Sequence, residues 1–187
     1  MGITEKTGGV VVSGKSRIIA GAGAPNGTGV TAIESAGVVH TTVVNLSATA
    51  LTGVDNTDMQ FAQKIYDSQD GSILIMGAVA DFSIVGSGGV HTGGTGYWSV
   101  GTGTVATMAG TDVNIIAKSS QFTLSSYAAD LTGRSAAIIN SGTPFDGSSS
   151  AVDYYLNFLI DAAGWTTAGI LTVTGTVTLT WCNFGDY

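Results

Sequence analysis

From Gly169 to Asn183 the chain alternates between apolar and hydroxyl side chains. Leu171, Val173, Val177, Leu179 and Trp181 fall on one side, and Thr172, Thr174, Thr176, Thr178 and Thr180 on the other. Period two sustained over such a length is the pattern of a β-strand with one face buried. Threonine, valine and tryptophan also suit a pleated, half-buried surface. Leu179 is therefore a core position and Thr178 an outward one. Gly175 occupies the inward phase without a side chain, which predicts a bend or bulge, or a close approach by another backbone. At about 3.3 Å per residue the stretch would span roughly 50 Å, long for a straight strand of one sandwich.

The same period recurs upstream. Val44, Leu46, Ala48 and Ala50 alternate with polar residues and predict a strand within 38–51. Thr57-x-x-Gln60 matches a capping box and predicts one helical turn, after which 61–66 returns to strand. Asp70-Gly71 closes a hairpin turn. From Ser72 to Val85 a long strand begins with Ile73 and Ile75 inward. A bulge at Gly77 then moves Ala78, Ala80, Phe82 and Ile84 to the inner side, with Asp81 and Ser83 out. Glycine-dense 86–96 reads as a loop and 97–104 as a strand. Residues 111–117 suit a strand or buried turn, 121–124 a short strand, 126–131 a helical turn, and 136–140 a strand. Serine-rich 141–150 reads as an exposed loop. From Ala151 to Asp161, Val152, Tyr154, Leu156, Phe158 and Ile160 alternate with other residues as in another strand.

About eight strands with turns between them and almost no helix imply a β-sandwich, a jelly roll or a small barrel. The expected architecture is all-β: a single sandwich of jelly-roll type over 37–187, preceded by an extended arm over 1–36. Gly8, Gly9, Gly14, Gly21, Gly23, Gly27 and Gly29 interrupt that arm. Only Val10–Val12 and Arg17–Ala20 are strand candidates within it, and Pro25-Asn26-Gly27 is a turn signal.

Composition changes the picture in one respect. Charged residues are only 10% of the 187, and 28 are glycine. The surface must be polar through hydroxyls rather than charges, so it repels other copies weakly. Net charge is −7, divided as +1 over residues 1–36 and −8 over the rest. An acidic body argues against nucleic acid as a partner, since phosphate binding needs a basic patch. The basic arm either contacts an acidic partner or another copy's body, or is merely kept soluble by its charges. No apolar run approaches the length needed to cross a bilayer, and the first residues lack a signal core, so no membrane partner is expected and the chain is expected to be made in a cytoplasm.

Candidate chemistry is sparse. His40 and His91 lie far apart in sequence, outside any metal-ligand spacing. Asp67-Ser-Gln-Asp70-Gly71 resembles a calcium loop superficially, but Ala78 stands where the closing Glu would be required. The pair Asp55 and Asp58 reads as a loop or cap. No nucleophile elbow with a following Asp and His is present, and Cys182, the only cysteine, falls outside the apolar phase of its strand and reads as a half-buried filler. Trp98, Trp165, Trp181, Tyr97, Tyr154 and Tyr155 suggest a sugar-stacking platform, yet Trp181 and Tyr154 are in core phase. Trp165, in a predicted turn, is the best exposed anchor for an interface or a ligand. No catalytic residue, metal site or cofactor is expected. The expected interface comprises Val10, Val11, Val12, Lys15, Arg17, Ile18 and Ile19 of the arm, together with Trp165.

The endings Ala151-Val-Asp-Tyr-Tyr-Leu-Asn-Phe-Leu-Ile-Asp-Ala-Ala-Gly and Gly169-Ile-Leu-Thr-Val-Thr-Gly-Thr-Val-Thr-Leu-Thr-Trp-Cys-Asn-Phe-Gly-Asp-Tyr resemble those of small virion structural proteins of tailed bacteriophages, cyanophages among them. Lys64-Ile-Tyr-Asp-Ser-Gln-Asp-Gly-Ser-Ile-Leu-Ile-Met-Gly-Ala is similar to their central hairpin. The resemblance covers about residues 40–187. It implies a head decoration or cement protein on the capsid exterior, often a β-rich homotrimer, that reinforces the major capsid protein. The alternative is a tail or fibre module that binds host-surface glycan.

Overall fold

The computed structural model describes residues 9–12, 16–19, 24–35, 39–53, 58–68, 71–87, 95–104, 108–124, 128–134, 145–147, 152–161 and 170–183. Among the described residues thirteen strands run in chain order: β1 (Gly9–Val12), β2 (Ser16–Ile19), β3 (Ala24–Pro25), β4 (Val30–Ser35), β5 (His40–Thr52), β6 (Asp58–Asp67), β7 (Gly71–Ser87), β8 (Thr95–Gly101), β9 (Phe122–Thr123), β10 (Ala128–Arg134), β11 (Phe145–Gly147), β12 (Asp153–Asp161) and β13 (Ile170–Asn183). One 3-10 turn, Gly110–Val113, follows β8.

Two antiparallel sheets face each other. The larger has the order β10-β7-β13-β5-β4, with β11 also paired to β7; the smaller has the order β3-β6-β12-β8-β9. The pairing is nested. β5 pairs with β13, β6 with β12, β7 with β10 and β8 with β9, so the first long strand meets the last and the innermost two meet each other. A hairpin folded over on itself in this way is a jelly roll, and it puts alternate strand pairs into the two layers of a sandwich. One apolar cluster fills the space between them, with Val177, Leu179 and Ile84 from the larger sheet and Phe61, Phe158 and Trp98 from the smaller. Phe82 packs edge-on against both Trp98 and Phe158.

The strand phases follow the predicted alternation in β7, β12 and β13. In β7, Ile73 and Ile75 are buried, and so are Ala78, Ala80, Phe82 and Ile84. The change of phase comes from a register shift against β13, where Thr180 faces Gly77 and Trp181 faces Ile75. Gly175 is the predicted close approach. A Cβ there would lie 2.3 Å from the Asp81 carbonyl oxygen and 2.4 Å from the Phe82 Cα, and the residue has φ +150°. Only glycine lets β13 lie flush against β7 at this point.

Five expectations are corrected. In β5, Ala48 and Ala50 are exposed, while Thr49 and Leu51 are buried. Ser47 and Ala48 together oppose Thr174, a bulge that shifts the phase of β5 while β13 keeps its own. Ala48 takes φ +49° there, and its N–H donates to Thr174 Oγ1 at 3.2 Å. Second, Asp58–Gln60 belongs to β6 rather than to a helical turn. Third, 128–131 begins β10, because Leu131 pairs with Phe82 and Gly133 lies under the Trp98 indole. Fourth, a short strand, β11, lies inside the serine-rich loop. Fifth, the expected arm over 1–36 extends too far. β3 adds to the smaller sheet beside β6, and β4 to the larger beside β5. Val30, Ala32 and Glu34 point inward from β4, and the carboxylate in that phase hides the strand from an apolar count. The expected strand at 136–140 lies outside the described residues.

Candidate functional site

The outer face of the larger sheet carries most of the exposed large aliphatic residues described. Its rows run across the strands. Ile33, Val43, Thr178 and Val79 form one row, and Thr31, Asn45, Thr176 and Asp81 the next. Ala50, Thr172 and Val85 lie further along. Ile33, Val79 and Val85 are each half or more exposed, at 53%, 54% and 50%. The threonine column of β13 is only half-buried because its neighbours on both sides are small. Asp81 is the single charge on this face among side chains described. Over β4, β5, β7 and β13 the surface is thus hydroxylated and aliphatic, and β10 sets Asp130 beside Ser83 and Arg134 beside Val79 at its margin.

The outer face of the smaller sheet has a different character. Asn157 and Ser99, both in outward phase, are fully buried. The segment after β8 folds over them. Asn157 donates to the Gly103 carbonyl at 3.0 Å, and the Ser99 hydroxyl meets the Met108 sulfur at 3.2 Å. Asn114 closes the turn by accepting from the Thr102 N–H and donating to its hydroxyl. Lys118 sits 3.8 Å over the Tyr97 ring, a cation–π contact that occupies one face of a candidate stacking aromatic.

At one end of the same sheet Lys64, Asp67, Asp153 and Tyr155 form a charged cluster. Lys64 Nζ lies 2.6 Å from Asp67 and 3.0 Å from Asp153, and the Tyr155 hydroxyl donates to Asp153 at 3.1 Å. Asp67 and Asp153 are direct cross-strand partners. Partial burial and the neighbouring Asp153 carboxylate push Asp67 up. Burial also opposes ionisation of Asp153, but hydrogen bonds from Asp67, Lys64 and Tyr155 outweigh it and hold that group below the usual carboxylate range. The hydrogen bond to Asp67, joined by that to Asp153, raises Lys64 against the opposing effect of desolvation.

A polar network lies beneath the larger sheet's edge, inside the sandwich. Glu34 on β4 is buried. One carboxylate oxygen accepts from the Tyr66 hydroxyl of β6 at 2.7 Å, and the other lies 3.1 Å from His40 Nδ1 on β5. The His40 ring stacks on Trp181 at 4.3 Å with planes 13° apart, and the Trp181 indole N–H donates to Thr42 Oγ1 at 2.9 Å. Burial first, then donation to a carboxylate, pushes Tyr66 well above its ordinary value, so it stays a donor. The network ties β4 and β5 of one sheet to β6 of the other. Sequence reasoning missed it because Glu34 was assigned to the arm. The signal was present in the inward phase that Glu34 shares with Val30.

The predicted interface residues are placed only in part. Val10, Val11 and Val12 lie on β1, which pairs with β2 bearing Arg17, Ile18 and Ile19; Val10 faces Ile18 and Val11 faces Arg17. β2 lies against β4. Lys15, Trp165, His91, Asp55 and Asp70 fall outside the described residues. Cys182 is half-buried in outward phase, its sulfur 3.4 Å from that of Met76. Among the described residues no three His, Cys, Asp or Glu side chains gather as metal ligands.

No family model matches the chain, and no curated protein does. Among solved structures it is similar to an arabinose-bound GH51 α-L-arabinofuranosidase, at 8% identity and TM-score 0.34 over 85% of this chain. The chain spans 23% of that enzyme's length. It is also similar to a mutant of a family 29 carbohydrate-binding module, at 12% identity and TM-score 0.29, covering 86% of this chain and 78% of that one. A likeness this slight carries nothing about function.

Proposed function

We propose that this protein is a non-enzymatic virion structural protein that decorates the outside of a phage head and bridges major capsid protein subunits. The observation that supports this reading most directly is the outer face of the larger sheet. It is aliphatic and hydroxylated, with Asp81 as its lone charge among the side chains described. Such a face gains about 25 cal/mol per Å² of apolar area on being covered. A decoration protein needs this kind of surface, because its work is to hold neighbours together by many weak contacts summed over a symmetric assembly. The acidic balance of the chain disfavours nucleic acid as the partner.

In this reading the segment before β3 reaches a neighbouring subunit through β1 and β2, whose pairing can extend a partner's sheet edge. The test adds purified chain to undecorated heads and counts bound copies by electron microscopy. Full-length protein should decorate the shell, and protein lacking residues 1–23 should remain folded and fail to do so. The truncation stops before β3 because β3 and β4 belong to the sandwich. Full occupancy by the truncated chain removes the role of the hairpin. Absence of binding by the full-length chain removes the decoration reading itself.

A further inference from the structure

We infer that β10 pairs edge to edge with β10 of a second copy of this chain, about a two-fold axis normal to the sheet at Thr132, so that one sheet runs through both copies. This goes beyond the decoration reading. It names a contact between copies that needs no shell, and it uses the edge of the larger sheet rather than its outer face.

β10 is the outermost strand of that sheet on the β7 side. Its seven residues pair with Val79–Val85 without a shift of register. Among the described residues no strand pairs with its other side. The remaining outer strands offer less. β2 lies against β4, and β3, β9 and β11 are only two or three residues long. An unpaired edge is a template for another strand unless a proline, a lysine or a bulge blunts it. The sequence Ala-Ala-Asp-Leu-Thr-Gly-Arg has neither proline nor lysine, and its even register leaves no bulge.

The register selects a second copy as the occupant. A strand can pair antiparallel with its own copy about an axis at any of its residues. At Asp130 the axis sets aspartate against aspartate. At Leu131 it sets Asp130 against Thr132 and leucine against leucine. At Thr132 it sets Asp130 against Arg134, Leu131 against Gly133 and Thr132 against itself. Only this last register joins the two opposite charges, and symmetry makes it do so twice, as an isologous contact requires. Unlike charges directly opposed across strands stabilise the pair, and like charges destabilise it. In the inward phase a large residue meets a position with no side chain. The strand is therefore its own complement when read in reverse, which a strand of another protein has no reason to be. Asp81, the charged residue of neighbouring β7, pairs with Thr132. Its two copies would stand three strand spacings apart, about 14 Å, beyond the screening length of about 8 Å at physiological salt.

The experiment is sedimentation of the purified full-length chain, with Asp130→Arg and the exchange variant Asp130→Arg/Arg134→Asp. The native chain should sediment as a dimer at micromolar concentration. Asp130→Arg sets arginine against arginine twice and should weaken pairing at least about tenfold, so that the variant sediments as a monomer where the native chain is paired. The exchange variant restores opposite charges in the same register and should regain the native mass, which also shows that the substitutions leave the fold intact. A native chain that sediments as a monomer or trimer overturns the inference. So does an Asp130→Arg chain of unchanged mass, or an exchange variant that stays split.

Discussion

The larger and smaller sheets present the core with similar inner faces and differ on their outer ones. On β8 and β12 the outward residues Ser99 and Asn157 are buried, because the segment around Gly103 and Met108 folds back over them and supplies their partners. On β13 the outward residues Thr172 to Thr180 meet no such cover among the described residues, although their strand lies at the centre of its sheet. The smaller sheet also carries the ion-paired cluster of Lys64, Asp67 and Asp153. One face is completed by its own chain, and the other keeps Ile33, Val79 and Val85 exposed.

The comparison can be broken at its root by reversing inside and outside on β13. Leu179→Asp buries an unpaired charge among aliphatic groups and should cost more than about 4 kcal/mol, enough to abolish the folded circular dichroism signal. Thr178→Asp, one residue away on the open face, should fold and melt within a few degrees of the native chain. Equal tolerance of the two would mean that the faces are assigned the wrong way round.

Gly175→Ala comes next. Its Cβ would collide with backbone of β7 rather than with a movable side chain. A loss of about 3 kcal/mol in urea unfolding is expected, since β7 and β13 must separate. A loss below about 1 kcal/mol would show that the larger sheet tolerates a gap at its centre.

Tyr66→Phe tests the link between the sheets. It removes the donor to a buried Glu34 oxygen and should cost about 1–2 kcal/mol. A neutral result would show that the Glu34 carboxylate does not depend on β6.

The smallest effects belong to the charged cluster, whose groups are partly exposed and screened. Asp153 ionises more readily in the folded protein, so its contribution is present above its unfolded pKa and disappears as pH falls through the folded one. Asp67 is raised, so its contribution has the opposite sign and disappears as pH rises through its folded pKa. At neutral pH, Asp153→Asn should therefore lower the melting temperature slightly, by the equivalent of about 1 kcal/mol or less, and Asp67→Asn should leave it unchanged or raise it. The reverse order would mean that Asp67 carries the charge that Lys64 needs.

Much of this was legible in the chain. The phases of β7, β12 and β13 follow from period two alone, including the shift at Gly77 and the close approach at Gly175. β10 was not legible, because Leu131 and Gly133 extend only against Phe82 and Trp98, which are distant in sequence. The buried Glu34 was not legible for a related reason. A carboxylate enters a core only where partners await it, and His40 and Tyr66 are brought to it by two different strands.

Local alternation determined which residues of β7, β12 and β13 face inward, because adjacent side chains must point to opposite sides of a pleat, whereas the bulge in β5 reversed its phase. Only the tertiary structure decided what lies on each outward side. Whether an outward threonine meets water, a folded-back loop or a neighbour depends on strand order and register. Those are set by contacts between residues far apart in the chain, which no local pattern encodes.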